Sequence, residues 1–197
     1  MKKHTQAIIA SILLMFSISA FPEEGDFYFG LGIGQSQFKL NEPTLIGSYL
    51  LNNDSTFSDT STAISFYSGI KLDEYLSLEA DIVLAGDITA TSNLQTTKLF
   101  NVSGLSLTAM LSTPLNKQVT LFGRMGAIFW DISESSDNLT TINNAVDITY
   151  GGGLDINLYG SADRQLRLQW NHYEYDGVFI NSSDAFTASL LFLFDFD

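Results

Sequence analysis

Hydrophobic side chains recur at every second position through most of this 197-residue chain. From Phe27 to Gly34, the residues Phe27, Phe29, Leu31 and Ile33 share one face, and Tyr28, Gly30, Gly32 and Gly34 share the other. The last stretch, Asp184 to Asp197, repeats the pattern with Phe186, Ala188, Leu190, Phe192, Phe194 and Phe196 on one side. A period of two belongs to β-strands, whose side chains alternate across the sheet. The same alternation predicts eight strands, near residues 26–38, 62–72, 76–88, 102–115, 118–132, 145–159, 164–175 and 184–197. Their connections alternate in length. Short turns follow the second, fourth and sixth strands. Longer polar segments follow the others, at Lys39–Ser61, Thr89–Asn101, Ser133–Asn144 and Asp176–Ser183.

The two faces differ in chemistry. The middle of the apolar face carries no charge in any of the eight strands, and His172 and Glu174, at the end of the seventh, are the nearest exceptions. The opposite face is mostly Gly, Ser, Thr and Asn with a few charges. A lysine or arginine facing lipid at mid-depth costs about 2–4 kcal/mol, so an uncharged band of this kind suits a lipid-facing surface. A soluble β-sandwich also alternates, but it charges its solvent face and shows no long–short rhythm of loops. The predicted fold class is therefore all-β, an eight-stranded antiparallel up-and-down transmembrane β-barrel with short periplasmic turns and long outer loops.

The start of the chain fits an exported protein. Met1-Lys2-Lys3-His4 is basic, Ala7–Ile18 is apolar, and Ser17-Ile18-Ser19-Ala20 ends in small residues. This reads as a signal peptide over residues 1–20, with the barrel domain over 21–197. The apolar run is shorter than the ~20 residues of a spanning helix. There are no cysteines. Strand pairing and packing must then hold an exported fold together without disulfides. Nine basic residues stand against 22 acidic ones, and removing Lys2 and Lys3 with the signal leaves seven against 22. That balance argues against nucleic acid as a partner, because nucleic-acid binding needs a basic footprint.

Several candidate sites can be weighed. Lys71, Glu79, Asp81, Arg124 and Arg167 all fall on the inward face. Charges inside a narrow barrel must be paired or hydrated. Phe27, Tyr75, Phe129, Trp130 and Tyr173 lie near strand ends and read as interfacial aromatics. His172 is followed by Tyr173 and Glu174, so no nucleophile–base–acid set is complete and no catalytic residue is assigned. The acidic loop residues, among them Asp54, Asp137 and Asp176, lack the spacing of a calcium loop, and no metal ligand or cofactor is expected.

Five segments together point to a family. F-Y-F-G-L-G-I-G at Phe27–Gly34, Y-S-G-I-K-L-D-E-Y-L-S-L-E-A-D at Tyr67–Asp81, L-F-G-R-M-G-A-I-F-W at Leu121–Trp130, Y-G-G-G-L-D at Tyr150–Asp155 and the closing L-L-F-L-F-D-F resemble the OmpA-like transmembrane-domain family in order and spacing. The resemblance spans essentially the whole mature chain and implies a monomeric eight-stranded meander. It implies an interior ion-pair network that plugs the lumen, at positions resembling Lys71, Glu79, Asp81, Arg124 and Arg167. The alternatives for the lumen are a narrow gated pore for ions or small solutes and, further off, a lipid A-modifying enzyme. The resemblance also implies contact with outer-membrane lipids and lipopolysaccharide. Periplasmic chaperones and the barrel-assembly machinery would act during biogenesis, the machinery reading Phe192, Phe194 and Phe196 as a terminal signal on the closing strand. Here the last aromatic is penultimate, with Asp197 after it, and a peptidoglycan-binding domain after the barrel is not expected. The expected role is structural or surface-interacting, and not enzymatic. An outer-membrane barrel migrates differently on gels before and after heating. The expected result is such heat-modifiable migration in outer-membrane fractions; recovery as a soluble periplasmic protein would contradict the barrel.

Overall fold

The computed structural model describes residues 27–41, 56–92, 95–134, 141–158, 163–175 and 180–194. The segment at 1–20, Phe196, and the loop acids Asp54, Asp137 and Asp176 lie outside the described residues. The elements in chain order are β1 (Phe27–Leu40), β2 (Thr56–Ser58), β3 (Thr60–Lys71), β4 (Leu76–Ser92), β5 (Gln95–Pro114), β6 (Val119–Glu134), β7 (Thr141–Asn157), β8 (Arg164–Glu174) and β9 (Ile180–Phe194). Eight are long. The three-residue β2 prolongs the β3–β4 ladder by pairing Thr56–Ser58 with Thr89–Thr91 of β4.

Each long strand pairs antiparallel with its chain neighbours, and β1 also pairs with β9, so the sheet closes. The register gives the stagger of the closure. Stepping across the strands from Tyr28 leads through Gly69, Glu79, Thr108, Gly126, Thr149, Tyr173 and Ser183. The circuit re-enters β1 at Phe38, ten residues beyond its start. A stagger of this size around eight strands goes with strands tilted by about 35–45° and an interior filled by side chains.

Two short turns have the same construction. Asp73 Oδ1 accepts the backbone N–H groups of Tyr75 and Leu76, both at 2.7 Å. Asn116 Oδ1 accepts those of Gln118 and Val119 at 2.8 and 3.0 Å. An Asp or Asn that bonds its own backbone two or three residues on pre-forms a tight reversal. A third feature, in β4, is a bulge where the ladder to β5 shifts between Leu84 and Asp87. Gly86 there has φ +76°, and a Cβ would meet the Thr62 carbonyl oxygen at 2.8 Å. Only glycine takes that conformation without strain.

The strands reach further outward than alternation on the apolar face suggests. The expected loop Thr89–Asn101 is largely strand, because β4 runs to Ser92 and β5 starts at Gln95, and Ser133–Asn144 is strand at both ends, where β6 runs to Glu134 and β7 starts at Thr141. Likewise β1 runs to Leu40 and β9 starts at Ile180, inside the segments Lys39–Ser61 and Asp176–Ser183. The reason lies on the inner face, where Ile88, Ala90, Leu99, Val102 and Ile132 are buried beyond the point at which the outer face turns polar. The outward face matches expectation. Leu31, Ile33, Leu107, Leu111, Met125 and Phe186 are each at least half exposed. Apolar exposure on that scale is a surface for lipid or for a partner.

The seam between the first and last strands is dense. Phe27 pairs with Phe194 and Phe29 with Phe192, and the Phe29 ring stacks on both Phe192 and Phe194 at 5.3 and 5.4 Å. Removing residues 194–197 deletes one end of that seam. The truncated chain should accumulate without reaching the heat-modifiable folded form; normal insertion would show that the terminal residues are dispensable for closure.

Candidate functional site

Inside the barrel, four of the expected charged residues converge. Glu79 and Asp81 stand two apart on β4 and point inward, and Arg124 on β6 and Arg167 on β8 reach across to them. Arg124 Nη1 lies 2.7 Å from Glu79 Oε1, in charge contact without the directed geometry of a hydrogen bond. Arg167 Nη1 donates to Glu79 Oε2. One carboxylate is thus held between two guanidiniums, one from β8 directly across the barrel and one from β6, two strands away from β4. Arg124 Nη2 also lies 3.7 Å from Asp81 Oδ2 and donates to Ser106 Oγ at 3.3 Å. Lys71, the fifth expected member, is half-buried at the last residue of β3, opposite Ser77 and nearer the short turns.

Two features of this site were not singled out in the sequence. The first is Asp155 on β7, which takes Arg167 in a two-pronged pair, Nε to Oδ1 at 2.7 Å and Nη2 to Oδ2 at 2.9 Å. Bidentate pairing of this kind is the strong form of an arginine–carboxylate contact. The inward parity of Asp155 was visible, and its register opposite Arg167 is the signal that would have found it. The second is an aromatic cage. The Arg167 guanidinium carbon lies 4.6 Å from the Phe122 ring centre, 5.3 Å from that of Tyr67 and 5.6 Å from that of Tyr28. Cations over aromatic faces gain ~0.5–2 kcal/mol, more as water is removed. The Tyr28 hydroxyl donates to Glu79 Oε2 at 2.9 Å, which joins the cage to the ion pairs.

Glycines make the cage possible. A Cβ on Gly69 would lie 2.3 Å from the Tyr28 ring, and one on Gly30 would lie 2.2 Å from that of Tyr67. Each ring therefore lies over the bare backbone of a neighbouring strand. Gly30 and Gly69 are thus sockets for two of the rings that enclose Arg167.

The interfacial aromatics divide. Phe129 faces outward and is nearly half exposed, Tyr75 is exposed on its turn, and Phe27 is half-buried at the start of β1. Trp130 and Tyr173 do not belong with them. They are 2% and 1% exposed and point into the barrel. Trp130 has the parity of Arg124 and Tyr173 that of Arg167, so period two places both inside; nearness to a strand end was the weaker guide. Trp130 donates from Nε1 to Asp147 Oδ2 at 2.7 Å and meets the Tyr175 ring edge-on.

His172 faces outward near the long-loop end of β8. Its Nδ1 lies 2.9 Å from Asp184 Oδ1 and its Nε2 lies 3.1 Å from Glu174 Oε1. Trp170 Nε1 donates to the same Asp184 oxygen at 2.9 Å, and the Tyr150 ring packs on the imidazole. With a carboxylate at each nitrogen, neither is aimed at a hydroxyl to activate. The network lets a polar group stand at the upper edge of the apolar band with its nitrogens engaged. Of the terminal aromatics, Phe192 and Phe194 occupy the β1–β9 seam described above.

A closed eight-stranded barrel with an apolar exterior and ion pairs in its interior is an integral outer-membrane β-barrel. The chain belongs to the OmpA-like transmembrane domain family, whose sequence pattern matches residues 22–185. Outer membrane protein A of Klebsiella aerogenes is 24% identical over 173 residues, covering 86% of this chain and 48% of its own length. Its counterpart in Klebsiella pneumoniae is 20% identical over 162 residues, 79% of this chain and 46% of its own. The chain thus spans about half the length of the curated relatives it matches. Among solved structures, Neisserial surface protein A superposes with a TM-score of 0.63 at 10% identity, covering 85% of this chain and 97% of that one. The attachment invasion locus protein Ail of Yersinia pestis gives 0.56 at 15% identity, covering 87% and 99%. At such identities these likenesses establish the fold. Family and fold together place the chain in the bacterial outer membrane, crossing it with each long strand, long loops outward.

The buried network gives one stability prediction. Glu79→Ala leaves two guanidiniums facing each other without the shared carboxylate. Breaking a buried pair from one side costs about 3–5 kcal/mol. The variant's urea unfolding midpoint, followed by gel mobility in lipid, should fall accordingly; an unchanged midpoint would mean the pairs contribute nothing net.

Proposed function

We propose that this protein is a monomeric, non-enzymatic barrel with a structural or surface-interaction role, its lumen closed to solutes by its own side chains. The observation that carries the reading is Glu79 clamped between Arg124 and Arg167. The side chains of all three are no more than 1% exposed. Eight strands enclose little more than the volume their inward side chains need. Here that volume holds five charged groups and three rings from the Arg167 cage.

Residues 1–20 act as a cleaved export signal and 21–197 as the barrel domain. The outward apolar band contacts outer-membrane lipids, with lipopolysaccharide on the outer side. Periplasmic chaperones and the barrel-assembly machinery handle the chain before closure, with Phe192, Phe194 and Phe196 as the recognised ending. The engagement of His172 by two carboxylates supports a non-enzymatic reading over lipid A modification.

The competing reading is a narrow gated pore, and Arg124, with carboxylates at 2.7 and 3.7 Å, is the group able to change partner. Planar-bilayer recording separates the two. The purified, folded barrel should give no discrete, selective conductance steps across the usual voltage range. Robust steps from the unmodified protein would defeat the closed-lumen reading.

A further inference from the structure

The inner face changes character along the barrel axis, from charged to apolar, on three strands, and apolar residues line both ends of two more. On β4, Glu79 and Asp81 give way outward to Val83, Ala85 and Ile88. On β6, Phe122 and Arg124 give way to Ile128, Trp130 and Ile132. On β8, Arg167 gives way past Gln169 and Asn171 to Tyr173, with Tyr175 just beyond the strand. On β1, Tyr28 lies at the short-turn end and Phe38 at the other. On β9, which runs the opposite way, Ile180 and Ala185 lie outward of Leu191. The buried apolar residues accordingly form two separate clusters. A small one, with Tyr28, Tyr67, Met110, Phe122 and Leu191, surrounds the ion pairs. A larger one fills the long-loop half and includes Ile88, Val102, Ile128, Trp130, Ile132 and Tyr173, each no more than 2% exposed. Between them the inner face is small or polar, with Gly32 and Gly34 on β1, Gly126 on β6 and Thr187 on β9.

We propose that the lumen carries two independent seals, an ion-paired one in the periplasmic half and an apolar one in the outer half, so that releasing the ion pairs alone leaves the barrel closed to ions. This rests on the reading of the lumen as plugged and extends it to a second barrier of different chemistry. The two layers resist ions for different reasons. The ion-paired layer occupies the space and offers no unpaired charge of its own. The apolar layer offers an ion little beyond the Tyr173 and Tyr175 hydroxyls to replace its hydration, and burying an unpaired charge in such surroundings is prohibitive. Hydrophobic constrictions close pores on that basis. Ile128 and Trp130 pack in a separate apolar cluster further out, of which Tyr173 is the member within electrostatic reach of Arg124 and Asp81.

The test uses the full barrel in planar bilayers, with folding of every variant checked by heat-modifiable migration. One variant, Glu79→Ala with Arg124→Ala, removes both partners of a lower pair. A second, Ile128→Ser with Trp130→Ser, makes the outer layer hydratable. A third combines all four changes. Where the serine variants do not fold, Ile128→Ala with Val102→Ala takes their place. The expected result is silence from the parent and from each single-layer variant, and discrete conductance steps from the combined one. Conductance from either single-layer variant would overturn the second seal while leaving the plugged reading intact. Silence from a folded combined variant would also overturn it, because other groups would then close the lumen. Conductance from the parent would instead defeat the plugged reading itself.

Discussion

The structure turns on one carboxylate. Glu79 receives guanidiniums from two other strands, and through Arg167 it is tied to Asp155 on a third. The Arg167–Glu79 contact crosses the lumen, so it holds opposite walls at a fixed separation in a way that pairing between adjacent strands does not. Burying five charges is costly, and the cost is recovered only where geometry and extra hydrogen bonds are good. Here the bidentate Asp155 pair, the Tyr28 hydroxyl and three rings supply them. A hydrophobic filling of equal volume could be as stable. What the charged one adds is a specific register, since sliding any contributing strand by one residue would turn its charge out toward lipid.

The glycines belong to the same arrangement. Tyr28 and Tyr67 face the guanidinium only because Gly69 and Gly30, their partners on neighbouring strands, present no side chain. The sequence places ring and glycine opposite each other in both directions across the β1–β3 pair. Replacing either glycine would displace a ring, uncover part of Arg167 and loosen the clamp on Glu79. The apparent simplicity of an inner face rich in glycine therefore conceals a close fit between two strands.

Much of this was legible in the chain because period two is so strict. The eight strands, the lipid-facing side and the inward direction of Glu79, Asp81, Arg124 and Arg167 all follow from parity. Partnership did not follow, because it depends on register and stagger. Nothing local reveals that Asp155 stands opposite Arg167, or that Phe122 reaches the same guanidinium. For Trp130 and Tyr173 parity is the better guide, because it turns both inward against the general preference of aromatics for membrane edges. The outer ends of the strands are hidden from the outward pattern for a related reason. The apolar outward face stops at the bilayer edge, whereas the inward pattern of Ile88, Ala90, Leu99 and Val102 continues.

That continuation shows how the two faces of one strand obey different solvents. Outward, a residue answers to depth in the bilayer, so Ile33 gives way to Gln35 and Trp170 to His172 as the strand leaves the hydrocarbon. Inward, it answers only to its neighbours across the lumen, which have no knowledge of the membrane boundary. In the periplasmic half the outside is apolar and the inside is charged. At the outer rim, past outward Phe129 and Val146, the outside turns polar while the inside stays apolar, and the wall there becomes that of a soluble barrel. The bulge at Gly86 and the short β2 lie in the wall of the outer half, where β4 continues outward. A chain built this way needs two kinds of filling, because the strands must remain joined past the point where lipid ceases to press on them.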